Sequence, residues 1–378
     1  MKYLITGAKG FIGRNLIAHL QREEDVQLLE YDVDNSEQEL DAWLWECDGI
    51  FHLAGVNRPK HEEEFETGNA DFTTEICTKL QNMGRQPPIV MTSSIQAKHD
   101  NPYGSSKRHA EMNLTDYAGK ENASVAIYRL KNVFGKWCRP NYNSVVATFC
   151  HNIANDLPIQ ISDPSHELEL VHIDDVITAL VNTMQDLSDG KDIDIDSNRI
   201  VLDNIPFHRV SLGDLAGRIQ FFRDMQDTLQ VPEFNARFNR QLYGTYLSYL
   251  PPNHWKYNLQ IRSDDRGNLA EFVKSPHFGQ IFVSRTRPGI TRGNHYHHTK
   301  TEKFLVIQGE GTIRFRHIQG QEIIDIPVRG ENYEPVEIPP GYTHSITNTG
   351  DDEMITLFWA SEVFDPDHPD TFYMKVDR

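Results

Sequence analysis

Residues 1–13, MKYLITGAKGFIG, decide how the first half of the chain is read. YLIT is a short apolar run of the kind found in strands buried on both faces. Gly7, Gly10 and Gly13 follow, and FIGRNLIAHLQRE then sets Phe11, Ile12, Leu16, Ile17 and Leu20 on one side of a helix. Glycine at a strand-to-helix junction permits a tight turn, close approach of backbone to a pyrophosphate, and helix–strand packing, while the helix N-terminus faces the phosphates. A tight turn in an α/β fold with no nucleotide is the competing reading.

Working outward, QLLEYD, GIFHLAG and PPIVMTSS are further buried-strand patterns, each separated from the next by helical pattern. Such alternation predicts a parallel sheet covered on both faces, an α/β Rossmann-type domain over 1–243. Firm periodicity is lost from 226, and residues 244–258 are read as a connection containing Pro-Pro. Tyr243, Tyr246 and Tyr249 are nevertheless too many for a free linker and are expected to pack. Over 259–378, short strand patterns punctuated by Gly and Pro predict an all-β sandwich or barrel.

A length of 378 residues suits about two domains. With 38% hydrophobic and 24% charged residues, the composition is that of a folded globular protein. The net charge of −18 makes nucleic acid and membrane surfaces poor partners, though a local pocket can still take a small anion. Cys47, Cys77, Cys138 and Cys150 form no C-x-x-C pair and read as reduced thiols in a cytoplasmic protein. No basic stretch followed by an apolar one opens the chain, and no apolar window approaches about 18 residues, so neither a signal peptide nor a membrane span is expected.

The stretch NPYGSSK, 101–107, is the next candidate for chemistry. Asn101 suits a helix cap and Pro102 the first helical position, which puts Tyr103 and Lys107 on one face. An ammonium beside a phenol favours the phenolate, so Lys107 is expected to lower the pKa of Tyr103 and fit it for proton donation. A solvated helix face with a snorkelling lysine is the bland alternative. The preceding strand ends in TSS, placing Ser94 at the carboxyl edge of the sheet, where ligands bind, with Ser93 as the fallback. Asp32 ends the second strand, where a carboxylate would hold a ribose 2′-hydroxyl, whereas Arg14 after the last glycine could pair with a 2′-phosphate. Lys131, Lys136 and Arg139 lie among aromatics in KNVFGKWCRP, a local basic cluster suited either to a diphosphate or to an ordinary surface loop.

Taken in order, G-x-x-G-x-x-G, HLAG at 52–55, the strand-end serine, Y-x-x-x-K, YRLKNVFG at 128–135 and LVHIDDV at 170–176 resemble the extended short-chain dehydrogenase/reductases over roughly the first 230 residues. The resemblance implies a nucleotide-sugar substrate. It assigns Ser94 to orienting the carbonyl, Tyr103 to protonating its oxygen, and Lys107 to holding the nicotinamide ribose. Cofactor contacts are implied for Gly7, Gly10, Phe11, Ile12, Gly13, Arg14, Asp32, Leu53, Ala54, Gly55, Tyr103 and Lys107, and substrate contacts for Arg129, Asn132 and Lys136. The nine-residue step from Ser94 to Tyr103 is short for that family.

In the second half, GNHYHHTKTEKF (293–304) concentrates metal-ligand chemistry. His295 and His297 alternate and so point to one face of a strand. Glu302 opens the next strand, and IPPGYTHSITN brings a distant His344. Three imidazoles and a carboxylate suit zinc, and also manganese, iron or nickel. His298 falls on the opposite face and His317 reads as a solvated strand histidine. The spacing Gly289, His295-x-His297, Glu302, Gly309 matches the first cupin motif, and Pro339-x-Gly341, His344, Asn348 resembles the second, with its leading glycine displaced to Gly330. The second domain is therefore expected to be an all-β cupin (jelly-roll) at 259–378.

A reductase followed by a cupin, with HLAGVNRP, SSIQA, DNPYG, FGKWC and PNYNS, resembles a family of bifunctional capsular polysaccharide enzymes. That resemblance implies C3 epimerisation of a UDP-linked 4-keto-6-deoxy-L-HexNAc by the cupin, then C4 reduction with NADPH to UDP-2-acetamido-2,6-dideoxy-L-talose, on the way to UDP-N-acetyl-L-fucosamine. NADPH is favoured by the family and NADH by Asp32. Zn2+ or another divalent ion and a homodimer are expected, with Phe358, Trp359 and Phe364 as interface candidates. The epimerisation base is left open between His297 and a residue outside the motifs. Two other readings compete: a reductase whose metal cupin is a dimerising module, and a non-catalytic nucleotide sensor, which the presence of both Tyr103 and Lys107 disfavours.

Overall fold

A computed structural model describes residues 1–191 and 201–377. They form two compact units, Met1–Ile219 with Gln241–Tyr249, and Gln220–Arg240 with Leu250–Arg378.

The first unit is built on strands β1 (Lys2–Thr6), β2 (Gln27–Tyr31), β3 (Gly49–His52), β4 (Ile89–Ser94) and β5 (Val125–Leu130), ordered β2-β1-β3-β4-β5 with Val201–Leu202 at the edge. All of these pairings are parallel. Strand side chains alternate, and the core divides accordingly. Ile5, Phe51, Val90 and Tyr128 join Leu16, Ile17 and Leu180 on one face. Leu4, Ile50, Ile89 and Ile127 join Leu40, Leu44 and Leu114 on the other. Apolar residues at both parities explain why these strands read as unbroken apolar runs. The direction of strand addition reverses between β1 and β3, so the loops leaving their carboxyl ends diverge and leave a crevice. A smaller sheet sets Glu167–His172 between Asn132–Phe134 and His208–Ser211.

The segment with no firm sequence period contains a helix, Arg237–Leu247. Its buried residues include the polar Asn239 and Thr245 beside Leu242 and Tyr246, and a partly polar buried face hides the 3.6-residue repeat. The tyrosines pack as expected: Tyr246 is buried and Tyr243 partly so, and the Tyr249 hydroxyl donates to the Cys138 carbonyl at 2.5 Å.

The second unit holds the all-β cupin fold. A six-stranded sheet contains Gly279–Thr286, Met354–Ala360 and Glu302–Gln308 as neighbours, and a five-stranded sheet contains Glu310–His317, Tyr342–Asn348 and Thr291–Tyr296. Their pairings are antiparallel. Phe304, Ile313, Phe315, Ile338, Ile346 and Phe358 form the core. Phe358 stacks on Phe282 with ring centroids 4.7 Å apart, so of the three aromatics considered for an interface it belongs to the core. Phe364 is exposed.

Candidate active site and metal centre

The glycine loop is forced by close backbone contacts. Gly7 has φ +71°, and a Cβ there would lie 2.8 Å from the Ala54 backbone, so only glycine lets the loop after β1 touch the loop after β3. A Cβ at Gly13 would stand 2.3 Å from the Gly7 carbonyl oxygen. Gly10 caps helix α1 (Phe11–Leu20) with no side-chain hydrogen bond, leaving the first helical N–H groups for a phosphate. The two loops are tied beneath by Thr6: its Oγ1 accepts from the Ala54 N–H at 3.2 Å and bonds His52 Nδ1 at 2.8 Å. Burial holds His52 down to about 3, so it is a neutral structural imidazole.

These loops open onto a cleft of about 1300 Å³ within the first unit. Gly7, Gly10, Phe11, Ile12, Gly13 and Arg14 line one part, with Leu53 and Gly55 beside them. Ala54 takes part through its backbone. Asp32 is absent from the lining: its Oδ2 accepts from the Lys9 N–H at 2.7 Å and its Oδ1 from the Val33 N–H at 2.9 Å.

Ser94, Tyr103 and Lys107 meet in the same cleft. The Asn101 side chain accepts from the Gly104 N–H at 2.8 Å and Pro102 occupies the first turn, so the 20-residue helix Pro102–Glu121 starts where its sequence signals place it. The short step from Ser94 is taken by a 3-10 turn, Ile95–Lys98. Ser94 hydrogen-bonds Tyr103, whereas Ser93 Oγ donates to buried Glu111 at 2.5 Å. Lys107 is buried, and a Cβ on Gly55 would lie 2.7 Å from its Nζ. Burial pushes Lys107 down to about 8, with Glu111 opposing. One expectation is corrected here. Tyr103 lies above its ordinary value, because burial outweighs the Ser94 hydrogen bond, and Lys107 produces no net lowering.

Of the substrate-side residues, Asn132 lines the cleft and the other two do not. Arg129 turns to Glu111, with Nε 2.9 Å from Oε1 and 3.1 Å from Oε2. Lys136 pairs with Asp174 at 3.0 Å. Lys131 and Arg139 are in the lining instead. Residues that motif reading missed include Tyr142, whose ring centroid lies 5.0 Å from the guanidinium of Arg139 and 5.5 Å from that of Arg58. Tyr249 also lines the cleft, held there through the Cys138 carbonyl.

In the second unit, His295, His297, Glu302 and His344 converge, each offering one ligand atom, all within 4.8 Å of one another. His295 sits directly opposite His344 in the pairing of Thr291–Tyr296 with Tyr342–Asn348, past a bulge at Gly293/His295. Glu302 is the first residue of its strand. Nε2 of His297 stands 3.3 Å, and Nε2 of His344 3.5 Å, from Glu302 Oε2. Both Nε2 atoms are buried without a hydrogen-bond partner. Two orphaned imidazole nitrogens facing one carboxylate are costly unless a cation receives them, so this donor set fits a divalent metal. Burial lowers His295 to about 4, keeping it neutral and able to ligate. His298 and His317 lie outside the cluster; they pack on Phe372 and Tyr342 respectively.

The NAD dependent epimerase/dehydratase family model matches residues 3–196. The chain belongs to this family. The polysaccharide biosynthesis C-terminal domain model matches residues 262–372. The UDP-2-acetamido-2,6-beta-L-arabino-hexul-4-ose reductase of Pseudomonas aeruginosa is 46% identical over 376 residues, covering 100% of this chain and 99% of that one. The capsular polysaccharide assembling protein CapF of Staphylococcus aureus is 44% identical, with a TM-score of 0.90, over 99% of this chain and 100% of its own. A CapF structure with the inhibitor 3-isopropenyl-tropolone is 39% identical, TM-score 0.86, over 99% of this chain and 100% of that one. This is therefore a CapF-like chain that couples an epimerase/dehydratase-family domain to a cupin.

Tyr249 packs as expected, but no local signal names its partner, the Cys138 carbonyl more than a hundred residues away, and none marks the Arg129–Glu111 pair.

Proposed function

We propose that the protein performs two successive steps on a UDP-linked 4-keto-6-deoxy-L-HexNAc: epimerisation at C3 at the cupin metal centre, then reduction at C4 in the cleft of the first unit. The product is UDP-2-acetamido-2,6-dideoxy-L-talose, towards UDP-N-acetyl-L-fucosamine. The observation that carries this reading is that one chain holds both complete constellations, Ser94–Tyr103–Lys107 and His295–His297–Glu302–His344. The full-length relative named as a hexul-4-ose reductase supports the substrate class.

The order follows from the chemistry. A C3 proton is acidic only while C4 is a ketone, so reduction ends epimerisation and traps the new configuration. In the cleft, Ser94 orients the C4 carbonyl, Tyr103 delivers a proton to its oxygen, and Lys107 holds the nicotinamide ribose. The bound cofactor supplies hydride to C4. Arg14 lies in the cleft while the Asp32 carboxylate is occupied by backbone N–H groups, which supports NADPH over NADH. Lys131 and Arg139 line the same cleft and suit the substrate diphosphate.

At the second centre, His295, His297, Glu302 and His344 would hold Zn2+ or another divalent ion, which would supply Lewis-acid polarisation of the ketone and so make C3 more acidic. Nδ1 of His297 bonds the Asp370 carbonyl and its Nε2 joins the cluster, so neither nitrogen is left to move a proton. That favours a base outside the four ligands. A homodimer in the cytoplasm completes the proposal; no helix among the described residues is long and apolar enough to cross a membrane.

Burial of His297, Glu302 and His344 favours one competing reading, a reductase with a structural metal. Product analysis separates the two. With substrate and NADPH, NMR of the product is expected to show inverted configuration at C3. A product reduced at C4 with C3 unchanged overturns the epimerase half.

A further inference from the structure

The loop that carries His297 is gathered by a residue far away in sequence. The Asp370 carboxylate accepts from the N–H of His298 at 2.9 Å, Thr299 at 2.8 Å and Lys300 at 2.8 Å, and from the Thr299 hydroxyl at 3.0 Å. The carbonyl of the same residue is bonded to His297 Nδ1. A carbonyl oxygen can only accept, so Nδ1 carries the proton and Nε2 presents its lone pair. That Nε2 is one of the two buried, unpartnered nitrogens of the cluster. Neighbouring bonds hold the rest of the segment. Lys300 Nζ donates to Thr371 Oγ1 at 2.8 Å, the Met374 N–H to the Asn294 carbonyl at 2.9 Å, and the buried Arg316 to the carbonyls of Val376 and Lys375 at 2.8 Å each.

We propose that Asp370 is a positioning residue of the metal centre: its carboxylate shapes the 298–300 turn and its carbonyl sets the tautomer and direction of His297, so that metal binding and docking of the 370–376 segment are one coupled equilibrium. Asp370 touches no reacting atom. It acts through His297, as outer partners of a ligating imidazole do. Coupling is reciprocal by thermodynamic necessity: what loosens the segment weakens the metal, and what binds the metal tightens the segment.

The inference rests on reading the four side chains as a metal site, and the test separates the two claims. Metal-stripped full-length protein is titrated with Zn2+ against a chromogenic chelator. The wild type is expected to bind one equivalent, and D370A to bind on the order of 10- to 100-fold more weakly. T299V removes a single donor and should lose less; it decides the matter if D370A does not fold. Two readouts report positioning itself. Imidazole 15N shifts should show one tautomer for His297 in the wild type and a mixture in D370A. Zn2+ should slow hydrogen exchange at the 298–300 amides of the wild type. Wild-type affinity in a folded D370A, or in T299V should D370A not fold, overturns the role of Asp370. Failure of the wild type to bind Zn2+ overturns the metal reading and this inference with it.

Discussion

Lys107 is buried beside Gly55 with its pKa near 8, and that fact governs the pH behaviour of the reductase site. In the proposed role the ammonium holds the ribose, so kcat/KM for reduction should be level below about pH 8 and fall above it. Glu111 raises the Lys107 pKa. E111Q should therefore move the fall to lower pH, and a pH profile of both proteins checks the sign. For stability the sign is opposite. The folded value lies below the ordinary 10.5, so burying the ammonium costs stability below about pH 8, and that cost fades as pH rises to 10.5. Y103F should retain cofactor binding, read by fluorescence titration, and lose NADPH oxidation; turnover retained in Y103F would exclude the proton-donor role. Arg14 is expected to contact a 2′-phosphate, a charge-assisted contact worth about 1.5–3 kcal/mol. R14A should thus reduce the preference for NADPH over NADH by roughly tenfold or more in kcat/KM. An unchanged ratio would return the choice to Asp32.

At the scale of elements, the sequence is most legible where a side chain's task is local. Gly7, Gly10 and Gly13 mark the turn because each answers a contact within the loops themselves. Asn101 and Pro102 mark the helix start because capping is a three-residue affair. Cross-strand register brings His344 opposite His295, while His297 follows the end of that strand and Glu302 opens a strand of the other sheet, so the four meet across the two sheets. Arg129 shows where this reasoning fails. Its motif suggests a substrate contact, yet its guanidinium binds Glu111 across 18 residues of sequence, joining β5 to helix Pro102–Glu121. Breaking such a pair leaves a buried carboxylate, at a cost of about 3–5 kcal/mol. R129M should lower Tm while leaving KM for the UDP-sugar unchanged; a raised KM with unchanged Tm would restore the substrate role. Helix Arg237–Leu247 was hidden for a different reason: Asn239 and Thr245 on its buried face are polar, their side chains donating to the nearby Glu233 and Gln241 carbonyls, so the apolar repeat is broken.

For the whole molecule, the two compact units pose the question of why a reductase-type domain and a cupin share a chain. Their joining has a chemical logic only if both act on one substrate. On the proposed reading, the ketone that acidifies C3 is the group that reduction removes, so reduction traps the epimerised configuration. Fold and ligand cluster were readable from sequence because spacing encodes them. The tail segment around Asp370, 73 residues from His297, was not, since nothing near it in sequence announces its partner.

The central claim, epimerisation at the cupin before reduction, is tested most directly without NADPH. The enzyme is incubated with the UDP-4-keto-6-deoxy-L-HexNAc in D2O, and C3 is followed by NMR and mass spectrometry. The account predicts deuterium at C3 in the wild type and in Y103F, and none in the H344A variant. An enzyme that reduces C4 when NADPH is added, yet places no deuterium at C3 without it, would contradict the two-step reading and leave a reductase with a structural metal domain.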